Sequence, residues 1–112
     1  MTDPGTNDTL HVHVAPSGAI VASGDIDVAG GPILDAVIIE QEQALDGTAA
    51  IVIDLTDVTF IDSSGLRSLL GASRRADERS AQVVLRSPSP AVQRLLEITG
   101  TSTQFRVDEA TA

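Results

Sequence analysis

Val58-Thr59-Phe60-Ile61-Asp62-Ser63-Ser64-Gly65-Leu66 reads as the end of a buried strand running straight into a helix. Apolar residues lead into Asp-Ser-Ser-Gly, and Leu66, Leu69 and Leu70 then recur at helical spacing. This order places two hydroxyls, those of Ser63 and Ser64, at a helix N-terminus, where unpaired N–H groups and the positive end of the dipole favour an anion. Taken alone, Asp-Ser-Ser-Gly is most often an ordinary helix cap. The sharper alternative is a serine whose phosphorylation alters a binding surface.

Working outward, Ala50-Ile51-Val52-Ile53 is a continuous apolar run, the pattern of a strand covered on both faces, and Asp54 is expected to end it. Upstream, Leu10-His11-Val12-His13-Val14 alternates with period two, Pro16-Ser17-Gly18 is turn chemistry, and Ala19 to Ile26 completes a hairpin. Gly30-Gly31-Pro32 opens a helix with proline in its first position. Leu34, Val37, Ile38, Gln41 and Leu45 mark its inward face, and Asp46-Gly47 stops it. Downstream, the helix after Ser64 is expected to bury Leu66, Leu69, Leu70 and Ser73 and to turn Arg74, Arg75, Asp77 and Glu78 to solvent. Gln82-Val83-Val84-Leu85 is a further strand. Ser89-Pro90 is an N-cap with a first-turn proline, Val92, Leu95, Leu96 and Thr99 follow at helical spacing, and Gly100 ends the helix. Gln104-Phe105-Arg106-Val107 forms a last short strand. The order β-β-α-β-α-β-α-β is that of an α/β domain over residues 9–112, with a mostly parallel sheet and one antiparallel strand from the hairpin. Residues 1–8 are polar, carry Pro and Gly, and are expected to be a flexible N-terminus.

Composition removes several classes of function. The 112 residues include no Cys, Trp or Tyr, so thiol chemistry, zinc–thiolate sites and an aromatic platform for bases are excluded. No apolar run approaches membrane-spanning length and the N-terminus lacks a signal-peptide pattern, so a cytoplasmic protein without a membrane contact is expected. All seven basic residues are Arg. Residues 1–62 carry eleven acidic residues and no Arg, a formal −11; residues 63–112 carry five acidic residues and seven Arg, +2; together they give the net −9. Such a surface repels nucleic acid and suits a basic partner. Without lysine there is no Walker-type nucleotide loop, and Asp54 at a strand end lacks the lysine that a receiver-type phosphoacceptor needs. A serine hydrolase requires a histidine beside its nucleophile, and the two histidines, His11 and His13, lie together on one face of the first strand. They make two metal ligands without a third, so no metal, no cofactor and no catalytic residue is expected. Gly30-Gly31 is a weak phosphate cradle, since Pro32 removes a donor.

Three segments together resemble the STAS domain of the anti-sigma factor antagonist family, over roughly residues 10–107. Gly24-Asp25-Ile26-Asp27 is similar to the family's Gly-Glu-Leu/Ile-Asp at the end of the second strand. Asp54 to Leu66 is similar to its phosphorylation segment. Ser87-Pro88-Ser89-Pro90 through Gly100 is similar to the loop and third helix that close the domain. Two departures stand out: Glu78-Arg79-Ser80-Ala81 occupies the place where the family often has Gly-Gly, and only Asp108 to Ala112 remain where it usually has a further helix, so the last helix is expected to be short or absent.

The resemblance implies a STAS-like mixed sheet with helices packed on it and a non-enzymatic partner switch. It implies binding to an anti-sigma factor that is a serine kinase of the GHKL type while unphosphorylated, release on phosphorylation by that kinase, and resetting by a PP2C-type phosphatase, thereby controlling sigma-factor-dependent transcription in a stress response. In the family the modified residue is the serine directly after the Asp, which the resemblance places at Ser63 here. Asp27, Asp62, Ser64 and Gly65 are the accompanying partner-binding positions, in a monomer or weak dimer. The alternative within the same fold is a STAS subunit regulating a phospholipid or anion transporter complex; there the first phosphorylatable residue is often lost, whereas Ser63 is kept.

Overall fold

The structure is a computed structural model describing residues 9–45 and 49–108. Its elements are β1 (Leu10–Val14), β2 (Ile20–Ile26), α1 (Gly30–Ala44), β3 (Ile51–Ile61), α2 (Ser63–Glu78), β4 (Val83–Arg86), α3 (Pro90–Thr99), a 3-10 turn (Ser102–Gln104) and β5 (Arg106–Asp108). The five strands form one sheet in the order β1-β2-β3-β4-β5, with β1 antiparallel to β2 and every later pair parallel. The expected α/β class and element order are therefore what the chain adopts. The expected flexible segment 1–8, the Asp46-Gly47 helix stop and the question of a terminal helix over 109–112 lie outside the described residues.

Each parallel strand is the next neighbour of the one before it, so right-handed crossovers carry all three helices to the same side of the sheet. Leu34 and Ile38 of α1, Leu66 and Leu69 of α2, and Val92 and Leu96 of α3 accordingly meet Ile51, Ile53 and Leu55 of β3 in one core. This corrects the expectation that β3 is covered on both faces. Its alternate residues Val52 and Asp54 are only half-buried and Thr56 is exposed, as are His11 and His13 on the edge strand β1. A run of apolar residues does not by itself distinguish a strand covered twice from one whose outer valine is shielded by its neighbours.

Asp54 does not end β3. The strand continues to Ile61 because β2 pairs with it along the whole length, from Ile20↔Ile53 to Ile26↔Ile61. Two irregularities make this possible, since β3 carries one extra residue between Val21↔Asp54 and Ser23↔Asp57 and a second between Gly24↔Val58 and Asp25↔Phe60. The Asp54 carboxylate settles locally, accepting from the Thr56 N–H at 3.0 Å and the Thr56 hydroxyl at 2.6 Å.

Helix ends follow the expected chemistry with three differences. Ser89 caps α3 by accepting from the Val92 N–H, Pro90 fills its first turn, and Gly100 ends it with φ 68°. In α1, however, Pro32 is the third helical residue, because the capping group is Asp27 further upstream. Thr99 is exposed, and its hydroxyl bonds back to the Leu95 carbonyl at 2.7 Å instead of facing the core. Arg75 does not point to solvent. Its Nε sits 2.9 Å from Oε1 of Glu42 on α1, whose side chain is only 9% exposed, and this pair clamps the two helices together.

Candidate functional site: the paired helix N-termini at the ends of β2 and β3

Ile26 and Ile61 lie side by side as the last pair of the two central strands, and the Asp62 N–H donates to the Ile26 carbonyl at 3.3 Å. Both strands then turn into helices through an aspartate. Asp27 Oδ1 accepts from the Ala29 N–H at 3.1 Å and the Gly30 N–H at 2.9 Å. Asp62 Oδ1 accepts from the Ser64 N–H at 2.9 Å and the Gly65 N–H at 3.3 Å. Asp27 and Asp62 are thus neighbouring caps of α1 and α2, each satisfying two amides that the helix leaves unpaired. The cap role of Asp62 is readable from Asp-Ser-Ser-Gly. That of Asp27 is not, since it acts across the Val28-Ala29 connection.

Glycine makes the close approach of these elements possible. A Cβ on Gly65 would lie 2.6 Å from Cγ2 of Ile26, 2.7 Å from the Ile26 carbonyl oxygen and 2.8 Å from Cγ1 of Ile61. A Cβ on Gly31 would lie 3.2 Å from the Ser64 carbonyl oxygen, and the Ser68 hydroxyl donates to the Gly31 carbonyl at 2.9 Å. Gly65 is buried, and it serves the site by letting α2 seat on the strand ends.

Ser63, the first residue of α2, is exposed; Ser64 is half-buried and faces a cleft of about 420 Å³ between α1 and α2. Val28 and Asp35 border this cleft on one side, Arg67 and Arg75 on the other. Two large apolar side chains stand open at the same end of the molecule: Val28 is 72% exposed and Phe60 49%. The exposure of Phe60 is not visible in the largely apolar run from Val58 to Ile61. The second bulge of β3 turns both Thr59 and Phe60 outward between buried Val58 and Ile61, and Thr59 Oγ1 donates to Asp25 Oδ1 at 2.8 Å. Among the described residues no group of His, Asp or Glu has metal-ligating geometry, and no helix is long and apolar enough to cross a membrane.

The model of the STAS domain matches residues 17–112, which include the whole of this site. The chain is a STAS domain of the anti-sigma factor antagonist family. The anti-sigma-B factor antagonist of Staphylococcus aureus is 30% identical over 92 residues, covering 82% of this chain and 83% of that protein. A Mycobacterium paratuberculosis anti-sigma factor antagonist superposes on the STAS domain with a TM-score of 0.73 at 25% identity, covering 96% of this chain and 90% of the other. SpoIIAA in its unphosphorylated form shares the fold at 21% identity and a TM-score of 0.70, over 91% of this chain and 88% of the other. The site assembled at the ends of β2 and β3 therefore belongs to a family of regulatory, partner-binding domains.

Proposed function

We propose that this STAS domain captures an anti-sigma factor serine kinase of the GHKL type while Ser63 is unmodified, and releases it once that kinase has phosphorylated Ser63. A PP2C-type phosphatase then restores the binding form, and the cycle sets how much sigma factor is free for transcription. The observation that carries this reading is the exposed Ser63 hydroxyl at the start of α2, on a surface that also offers Val28 and Phe60. Apolar side chains of that exposure are natural anchors for a docked partner, and a neutral hydroxyl beside them is readily buried. Asp27 and Asp62 contribute by fixing the two helix starts, and Ser64 lies at the cleft margin. A structure of Bacillus SpoIIAA in its phosphorylated form, at a TM-score of 0.65, supports a fold that tolerates the modification.

The same geometry explains why phosphate acts at the interface. Asp62 already occupies the Ser64 and Gly65 amides, the donors an incoming anion would otherwise use. A phosphoserine adds about −1.5 to −2 charge beside two capping carboxylates. In the free domain water solvates it. Under a partner it loses that solvation, at several kcal/mol, which weakens binding roughly a hundredfold or more.

The test is incubation with candidate anti-sigma kinases and ATP, followed by mapping of the modified residue and by binding assays. Phosphate is expected on Ser63, a Ser63→Ala chain should remain bound to its kinase in the presence of ATP, and Ser63→Asp should bind weakly. Modification of Ser63→Ala at the wild-type rate, or equal affinity of the Ala and Asp variants, refutes the reading.

A further inference from the structure

No basic residue precedes Arg67 in the chain. It stands four positions after Ser63 on α2, so the two side chains lie on one face about one turn apart, with Cβ atoms roughly 5–6 Å from each other. Helical side chains lean toward the N-terminus, so Arg67, which borders the cleft beside Ser64, can swing its guanidinium back over the turn that carries Ser63. Arg67 is exposed and takes part in no ion pair among the described residues, whereas Arg75 and Arg79 of the same helix are both held by Glu42.

The groups around it are acidic. Asp25 and Asp27 stand at the end of β2, Asp57 and Asp62 belong to β3 and its cap, and Asp35 faces Arg67 from α1 across the cleft, where it lies 3.8 Å from Nη2 of Arg75. A phosphate on Ser63 thus finds carboxylates on the strand side and the Arg67 guanidinium one turn along the helix; Arg74, which likewise takes part in no ion pair among the described residues, lies about two turns further on.

We propose that Arg67 is the intramolecular counter-ion of phosphorylated Ser63, donating a forked pair of hydrogen bonds to two phosphate oxygens and holding the dianion along the exposed face of α2. The inference rests on Ser63 being the modified residue of the switch. It gives the released state an internal stabilisation that the binding state lacks, because the same arginine is idle when Ser63 is a free hydroxyl. Arginine suits this task better than lysine, since its planar fork matches phosphate geometry.

The experiment places phosphoserine at position 63 of the full chain during synthesis, so that no kinase is required. Phosphorus NMR titration then compares the wild-type background with Arg67→Gln and Arg67→Lys. The second ionisation of the phosphate, ordinarily at about pH 6, is expected about 0.3 pH unit lower in the wild-type background than in Arg67→Gln, roughly a twofold change in ionisation constant. The lysine variant should retain part of the shift. The Arg67 Nε–H resonance should move when the phosphate is present and stay in place when Ser63 is unmodified. Equal titration midpoints in wild type and Arg67→Gln, with an unmoved Nε–H resonance, overturn the proposal. A failed kinase assay bears on the switch itself and leaves this measurement untouched.

Discussion

Two alanine substitutions in α2 are expected to change stability in opposite directions, although both replace a helical glycine. At Gly65 the new methyl meets Cγ2 of Ile26 at 2.6 Å, Cγ1 of Ile61 at 2.8 Å and, decisively, the Ile26 carbonyl oxygen at 2.7 Å. A side chain can change rotamer, but that oxygen belongs to the strand end and also accepts the Asp62 N–H. Overpacking of this kind costs about 1–3 kcal/mol, and the helix-propensity gain of up to about 1 kcal/mol offsets only part of it. Gly65→Ala should therefore be destabilised by roughly 1–2 kcal/mol, or about 4–15 °C in melting temperature for a domain of this size. At Gly71 a Cβ meets only Nη1 of Arg75, at 3.4 Å, an ordinary van der Waals contact that requires no movement. Gly71→Ala should gain up to about 1 kcal/mol. Urea unfolding of both variants beside wild type measures the pair. A Gly65→Ala protein as stable as Gly71→Ala would show that α2 is not seated on the strand ends as described, and the positioning argument for Ser63 would fail with it.

Two further substitutions probe the rest of the frame. Glu42→Ala removes the acceptor of Arg75 Nε and the nearby partner of Arg79, in a side chain whose Nη2 already lacks a hydrogen bond; with Arg75 about a third exposed, a loss of about 1–2 kcal/mol is expected by chemical denaturation, and a change below about 0.3 kcal/mol would deny the clamp any weight. Ser80 holds φ 56° in the turn after α2, where the family often has Gly-Gly, so Ser80→Gly should stabilise the domain by about 0.5–1 kcal/mol, and a lower melting temperature would contradict the left-handed assignment.

Local chemistry was legible in the sequence wherever a few adjacent residues decide the outcome. The hairpin from Leu10 to Ile26, the Ser89-Pro90 cap with Gly100 at the far end, and the helix start at Asp62-Ser63 all depend on neighbours within one turn. What stayed hidden depends on partners far along the chain. β3 outlasts Asp54 only because β2 supplies hydrogen bonds as far as Ile26, and the extra residues in β3 that turn Phe60 outward have no signature in Thr59-Phe60 alone. Arg75 reads as a solvent-facing residue by its helical phase. Its actual place depends on Glu42, in a helix whose packing angle against α2 no pattern in either segment encodes. The site divides in the same way: Ser63 and Asp62 are visible in a short motif, whereas the capping duty of Asp27, the exposure of Val28 and the isolation of Arg67 emerge only once β2 and β3 end side by side.

That side-by-side ending also constrains how the proposed switch works. A helix N-terminus is ordinarily a place where phosphate is welcome, and a phosphorylated first-turn serine would then strengthen its own helix. Here the two best-placed amides of α2 are already bonded to Asp62, as those of α1 are to Asp27. The backbone has little left to offer a second anion. In the proposed switch, phosphate on Ser63 is neither absorbed into the fold nor expected to unfold it, because it projects from an exposed position whose cap is already made by Asp62. Its free energy is decided by what lies outside the helix start: water and Arg67 in the free domain, a partner surface in the complex. Relieving the repulsion by Asp62→Asn would keep an N-cap acceptor while removing one charge, so the proposed mechanism requires that variant to lose less affinity on phosphorylation than wild type does.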